Sequence, residues 1–195
     1  MTSVLEAVQH IIDPARVVQA PVILSEEAET SRCEPIRVHS TAKNWALRLQ
    51  SDDHLRILAP LSKEQGHSVR RLPDYLVFSE PGVPPQRPED TALYILVCEL
   101  KSGATGAGEA LAQVQLGKLL AEYLLRVAAH SMGKSEAPKV WCNGLIASPE
   151  FPTSMVSKGS TRPGKVEYPN EFDKLSRMRI YRSPAGGVIQ LESFF

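Results

Sequence analysis

A chain of 195 residues, 43% hydrophobic and 23% charged, has the usage of an ordinary globular protein, long enough to bury a core without disulfides or a structural metal. Its 22 basic and 22 acidic residues balance, which argues mildly against a protein that coats nucleic acid, because such proteins draw their affinity from a basic excess. Three cysteines without a CxxC pair, two of them (Cys98 and Cys142) in apolar runs, fit small core residues in a reducing compartment. The N-terminal residues lack the basic start and long apolar run of a secretory signal, and no stretch reaches the length of a membrane helix; the expected location is cytoplasmic, with no membrane partner.

In chain order, Ser3 and Glu6 form an S-x-x-E capping box ahead of a short helix carrying Val4, Leu5, Val8, Ile11 and Ile12, and Asp13-Pro14 ends it. Residues 15–40 hold an apolar patch from Val17 to Leu24 and an acidic run from Ser25 to Glu29, without a decisive period. Thr41 to Gln50 reads equally as helix or as a strand alternating Trp45, Leu47 and Leu49. Strands are predicted over His54–Pro60 and Asp74–Ser79, with a turn at Gln65-Gly66 and a proline-rich connection over Pro81–Pro88. Ala92–Leu100 is apolar at odd and even positions alike, as a strand buried on both faces of a sheet is.

The glycines from Gly103 to Gly108 match no phosphate-binding motif and read as a turn into a long helix over 108–130. Its core face is predicted to carry Leu111, Leu116, Leu119, Leu120, Tyr123, Leu124 and Val127, with Gln115, Lys118, Glu122 and Arg126 opposite. A strand over Val140–Ala147, a Pro/Gly/Ser-rich loop over 148–170 and a terminal hairpin about Ala185-Gly186-Gly187 complete the chain.

Chemistry concentrates where the apolar strand ends. Glu99 and Lys101 are two residues apart, so they share the face of Leu93, Ile95 and Val97. Burying a carboxylate and an amine there is costly unless they pair or bind something. Pro73-Asp74 opens the preceding strand and could bring a second carboxylate beside Glu99. Two carboxylates and a carbonyl suit a hard cation such as Mg²⁺. The five histidines show no ligand spacing, and no Cys/His cluster suggests zinc.

Pro73-Asp74, 24 further residues, Glu99-Leu100-Lys101 at the end of a hydrophobic strand and then a long helix together resemble the PD-(D/E)XK superfamily, which includes restriction endonucleases, recombination exonucleases and Holliday-junction resolvases. The D/E-x-K triplet is short enough to occur by chance in a chain this size, so its place at the end of the most buried strand carries the resemblance. The resemblance implies an α/β fold with a restriction endonuclease-like core, a central mixed β-sheet flanked by helices. It implies one domain over 1–195: a helical arm over 1–40, a core of helix, three strands, helix and strand over 41–147, and a loop and terminal β-hairpin over 148–195.

It further implies a nuclease hydrolysing phosphodiester bonds, in DNA by expectation, for restriction, repair or mobile-element defence. Asp74, Glu99 and the carbonyl of Leu100 would hold Mg²⁺ or Mn²⁺, and Lys101 would activate water. An accessory acid is sought among Glu6, Glu26, Glu27 and Glu29, with Glu27 and Gln115 entered as accessory residues. Lys158, Arg162 and Lys165 are candidates to grip a nucleic-acid backbone, as are Arg177, Arg179 and Arg182, and a homodimer fits enzymes that cut both strands. Some exonuclease branches carry Gln-x-x-x-Tyr on the helix; here Gly117 and Leu119 follow Gln113 and Gln115 where the tyrosine would stand. The bland reading of the same residues is a strand-capping ion pair, a Pro-Asp turn and a solvated acidic helix. The alternative function is therefore a catalytically inactive module of the same fold that binds nucleic acid or a protein partner.

Overall fold

The computed structural model describes residues 3–26, 31–49, 72–80, 93–102, 107–151, 157–158 and 166–195. Helix α1 (Val4–His10) starts as its sequence dictates: the Ser3 hydroxyl accepts from the Glu6 N–H at 3.2 Å, and the Glu6 carboxylate accepts from the Ser3 N–H at 3.0 Å. Seven residues are too few for a helix to persist alone, and burial of Leu5, Ala7 and Val8 in the core holds it.

After a 3-10 turn (Pro14–Arg16), the regular elements described in the ambiguous stretch are strands: β1 (Val17–Gln19), β2 (Val22–Leu24), β3 (Ile36–His39) and β4 (Asn44–Arg48). In β4 the two-residue alternation wins over the helical reading. Trp45 and Leu47 turn to one core, where Trp45 stacks on Phe78 at 4.6 Å, while Ala46 turns to the other. Strands β5 (Tyr75–Ser79) and β6 (Leu93–Leu100) follow, then helix α2 (Ala107–Ser131) and strand β7 (Val140–Ser148). The short pair β8 (Ser157–Lys158) and β9 (Val166–Glu167) precedes β10 (Asn170–Asp173), β11 (Met178–Pro184) and β12 (Gly187–Gln190). The expected strand over 54–60, the turn at 65–66 and the connection over 81–88 lie outside the described residues.

Seven strands make one mixed sheet in the order β1-β4-β5-β6-β7-β11-β10. β4, β5 and β6 form an antiparallel meander, and α2 carries the chain over to β7, which lies parallel to β6. All eight residues of β6 are buried, as its unbroken apolar run predicts for the central strand. One face of the sheet packs on α1 and α2; the other is covered by a three-stranded sheet, β12-β3-β2, with Phe194 and Tyr168. Both described α-helices therefore lie on the same side, and the expectation of a sheet flanked by helices holds for one face.

Two expectations need correction. There is no terminal hairpin. β11 runs parallel to β7 in the large sheet, the chain turns at Gly186 and Gly187 (φ 86° and 78°), and β12 joins β3 in the small sheet. β11 feeds both cores, Met178 and Ile180 facing the helices and Tyr181 the opposite layer, whereas Ile189 of β12 joins that opposite layer. The hairpin partner of β11 is β10.

The second correction is the buried face of α2. Leu119, Tyr123 and Val127 are exposed, and Ala110, Gln113, Val114, Gly117, Ala121, Leu125 and Ala128 are buried instead. Leu120 is buried as expected. At Gly117 the helix lies so close to the sheet that a side chain is excluded: a Cβ there would stand 2.4 Å from Val97 Cγ1 and 2.6 Å from Pro73 Cγ. Gly144 on β7 makes the reciprocal room for Val114, whose Cγ1 is 2.4 Å from where its Cβ would be. Among the described residues no helix is long and apolar enough to cross a membrane.

Candidate active site

The β5–β6 register pairs Tyr75 with Cys98, so Asp74 comes beside Glu99 where the two strands meet the edge of the core. Alternation places Asp74 with Leu76 and Phe78, and Glu99 with Ile95 and Val97, all on the α2 face. Backbone bonds fix this corner from both sides. The Asp74 carbonyl accepts from Leu49 N–H at 2.8 Å, Asp74 Oδ2 accepts from Leu100 N–H at 2.7 Å, and Lys101 N–H donates to the Ala147 carbonyl at 2.8 Å. The two carboxylates and Lys101 are thus brought together as the sequence predicts.

Lys101 Nζ lies 2.7 Å from Glu99 Oε1 and donates to Gln113 Oε1 at 2.8 Å; Gln113 Nε2 in turn donates to the Leu72 carbonyl at 3.1 Å. The lysine is one-fifth exposed, whereas Glu99 is 2% exposed. Burial, then the neighbouring Asp74 carboxylate, push the Glu99 carboxyl up to about 8, against the opposing pull of Lys101. Among the described residues its Oε2 is buried without a hydrogen-bond partner. A carboxylate oxygen in that state is costly, and a bound cation would relieve it.

Of the four acidic candidates, Glu26 reaches the end of β6. It accepts from the Ser102 hydroxyl at 2.8 and 3.0 Å and from the Ser31 hydroxyl. Glu6 is committed to the α1 cap and to Lys43 at 2.8 Å, and Glu27 and Glu29 lie outside the described residues. Cys33, behind this corner, has its thiol pushed up to about 11 by burial and then by the Glu26 and Asp74 charges, so it stays protonated and is no nucleophile.

Gln115 is not brought to the Glu99 corner. Its Nε2 donates to Asp173 Oδ2 at 3.0 Å, which ties α2 to the β10–β11 turn and takes it out of the site. Gln113, two residues earlier, enters instead. The signal that marks it is its place on the helix face of Ala110, Val114 and Gly117, which small residues single out as the close-packed one. Lys158 has its backbone in β8, while Arg162 and Lys165 lie outside the described residues. Arg179 and Arg182 bond Asn170 and Glu171 on the neighbouring strand at 3.1 and 2.7 Å, and Arg177 sits in the β10–β11 turn, so none of these three is gathered at the Glu99 corner.

Among the described residues no cluster of three or more His, Cys, Asp or Glu is assembled for a metal ion. Any cation here would rest on the Asp74 and Glu99 carboxylates plus backbone oxygen and water, a donor set that a hard divalent ion accepts. Comparison with protein-family models, with curated proteins and with solved structures gives no match to this chain.

Proposed function

We propose that this protein is a divalent-metal-dependent nuclease with a restriction endonuclease-like core, hydrolysing phosphodiester bonds, DNA being the substrate we would test first. The observation that carries the reading is Glu99: a carboxylate 2% exposed, with Oε2 unpartnered among the described residues, beside Asp74 and within 2.7 Å of an ammonium. Within residues 41–147 the antiparallel meander β4-β5-β6, the crossover helix α2 and the parallel strand β7 support the core, as do the positions of Asp74 and Glu99 on its adjacent strands.

Asp74 and Glu99, with the Leu100 carbonyl, would hold Mg²⁺ or Mn²⁺. Such an ion, when bound, polarises a phosphoryl oxygen and lowers the pKa of a coordinated water. Lys101 would orient the attacking water and, as an ammonium, offset charge on the phosphate. Gln113 positions Lys101 by holding its Nζ from the helix side. The Leu100 N–H bond to Asp74 Oδ2 keeps the two carboxylates in register.

The second reading, an inactive module that binds nucleic acid or a protein, draws on the closed chain Glu99–Lys101–Gln113–Leu72, which pairs the lysine fully inside the fold. Cleavage of supercoiled, linear and single-stranded DNA with Mg²⁺, Mn²⁺ or EDTA decides between them. The nuclease reading expects metal-dependent cutting that falls at least a hundredfold in Glu99→Ala and Lys101→Ala, with folding verified by circular dichroism. Cutting that survives both substitutions would overturn the site. No cutting, together with no Mn²⁺ binding that depends on Asp74, would establish the module.

A further inference from the structure

Between the outer face of α2 and the β10–β11 turn lies a groove of about 410 Å³. Small-molecule sites occupy roughly 300–1,000 Å³ and are lined mostly by apolar side chains with a few polar groups. The walls here are apolar: Ala112, Leu116 and Leu119 from the helix and Leu175 from the turn. Leu175 is 82% exposed and Leu119 61%, so neither serves the core. The turn is firmly braced against the helix. Asp173 Oδ2 accepts from the Ser176 N–H at 2.8 Å, from the Ser176 hydroxyl and from Gln115 Nε2 at 3.0 Å, while the Lys118 ammonium bonds the Ser176 carbonyl. A polar network spanning two elements thus fixes the width of the groove, and a site formed in advance loses little entropy when it is filled.

The same network decides which polar group is left for a ligand. Gln115, Lys118 and Ser176 line the groove, and each is engaged in the bracing. Glu122 lines it too and takes no part. Its side chain is 40% exposed, stands 3.6 Å from Lys118 Nζ and makes no hydrogen bond among the described residues. We infer that the groove binds a small amphiphilic amine, with the apolar body between the leucines and the ammonium on the Glu122 carboxylate. Such a ligand brings the donors that this carboxylate lacks, and a charge-assisted bond beside an apolar wall sets the orientation of the body. An acid of the same shape would meet Glu122 as a like charge and find Lys118 already bonded to the Ser176 carbonyl. A neutral ligand would gain the walls alone.

Calorimetric titration of the full chain with phenylbutylamine, phenylbutanol and phenylbutyrate tests the inference, which stands apart from the nuclease reading. These probes share one apolar body and differ in the charge of the head. The amine should bind about fivefold more tightly than the alcohol, the gain of one partly exposed ion pair, and the acid more weakly than either. Glu122→Gln should bring amine and alcohol to the same affinity. Ala112→Trp, which fills the groove from a half-buried position on its wall, and Leu175→Ala, which removes the facing wall, should each weaken the amine while the far-ultraviolet spectrum stays unchanged. No heat with the amine at millimolar concentration overturns the site, as does binding indifferent to both wall changes. An alcohol or acid that binds as tightly as the amine overturns the ligand class. Self-association of the wild-type chain that Ala112→Trp abolishes would give the groove to a second copy and overturn the inference as well.

Discussion

Helix α2 has two faces of opposite character, and around Gly117 the smaller side chains are on the inside. The inner face carries Ala110, Gln113, Val114, Gly117 and Ala121 against the sheet; the outer one shows Leu119, Tyr123 and Val127 to water. Hydrophobic content alone would have reversed them. Close approach decides the matter, because α2 must come near enough to the β5–β6 corner for Gln113 to reach Lys101 at 2.8 Å. Small residues permit that distance and large ones forbid it. The same packing makes the core and builds the candidate site.

Gly117→Val breaks this comparison most severely. A side chain there meets Val97 and Pro73, the residues next to the Glu99 and Asp74 positions, and a β-branched residue has no flexible end to move aside. We expect a loss of about 3 kcal/mol in urea denaturation, since overpacking outweighs the helical propensity gained by replacing glycine. Gly108→Ala, with open space around its Cβ, should instead be neutral or slightly stabilising. If both variants unfold at the wild-type midpoint, contact between helix and sheet does not govern this face.

The buried carboxylate beneath the inner face gives the next effect. With its pKa raised from 4.5 to about 8 in the folded chain, Glu99 binds its proton more tightly folded than unfolded. Its stabilising contribution is complete below the unfolded pKa and is lost as pH rises through about 8. In EDTA the free energy of unfolding should therefore fall by about 2 kcal/mol between mildly acidic and mildly alkaline pH. Glu99→Gln should flatten that slope. A slope unchanged in the variant would assign the pH dependence to other groups.

Much of the scaffold was legible because single residues fix it. The Ser3–Glu6 box starts α1 where expected, the apolar run of 92–100 becomes the central strand, and the Glu99–Lys101 spacing brings both to one face beside Asp74. Three things were not legible, each for a physical reason. The strand at Asn44–Arg48 competes with a helical pattern until Phe78 supplies a ring for Trp45 to stack on. β12 leaves its apparent hairpin partner because its pairing with β3 is long-range, and local turn signals cannot show it. The choice between Gln113 and Gln115 turns on the rotation of α2, which the leucine spacing misstates and Gly117 sets.

Gln113→Leu sharpens the comparison at its polar point. It leaves the Leu72 carbonyl without the donor it has and removes one of the two partners of Lys101, so we expect a cost of about 1 kcal/mol, measured by thermal unfolding.

The smallest effect belongs to the outer face. Leu119→Gln exchanges one exposed side chain for another of similar length with good helix propensity. Stability should stay within about 0.5 kcal/mol of wild type, whereas Val114→Ala on the inner face should cost more than that. The contrast separates what holds the chain together from what that surface does outside it. Were Leu119→Gln as damaging as Val114→Ala, the leucine would be part of the core after all, and the two-faced description of α2 would have to be abandoned.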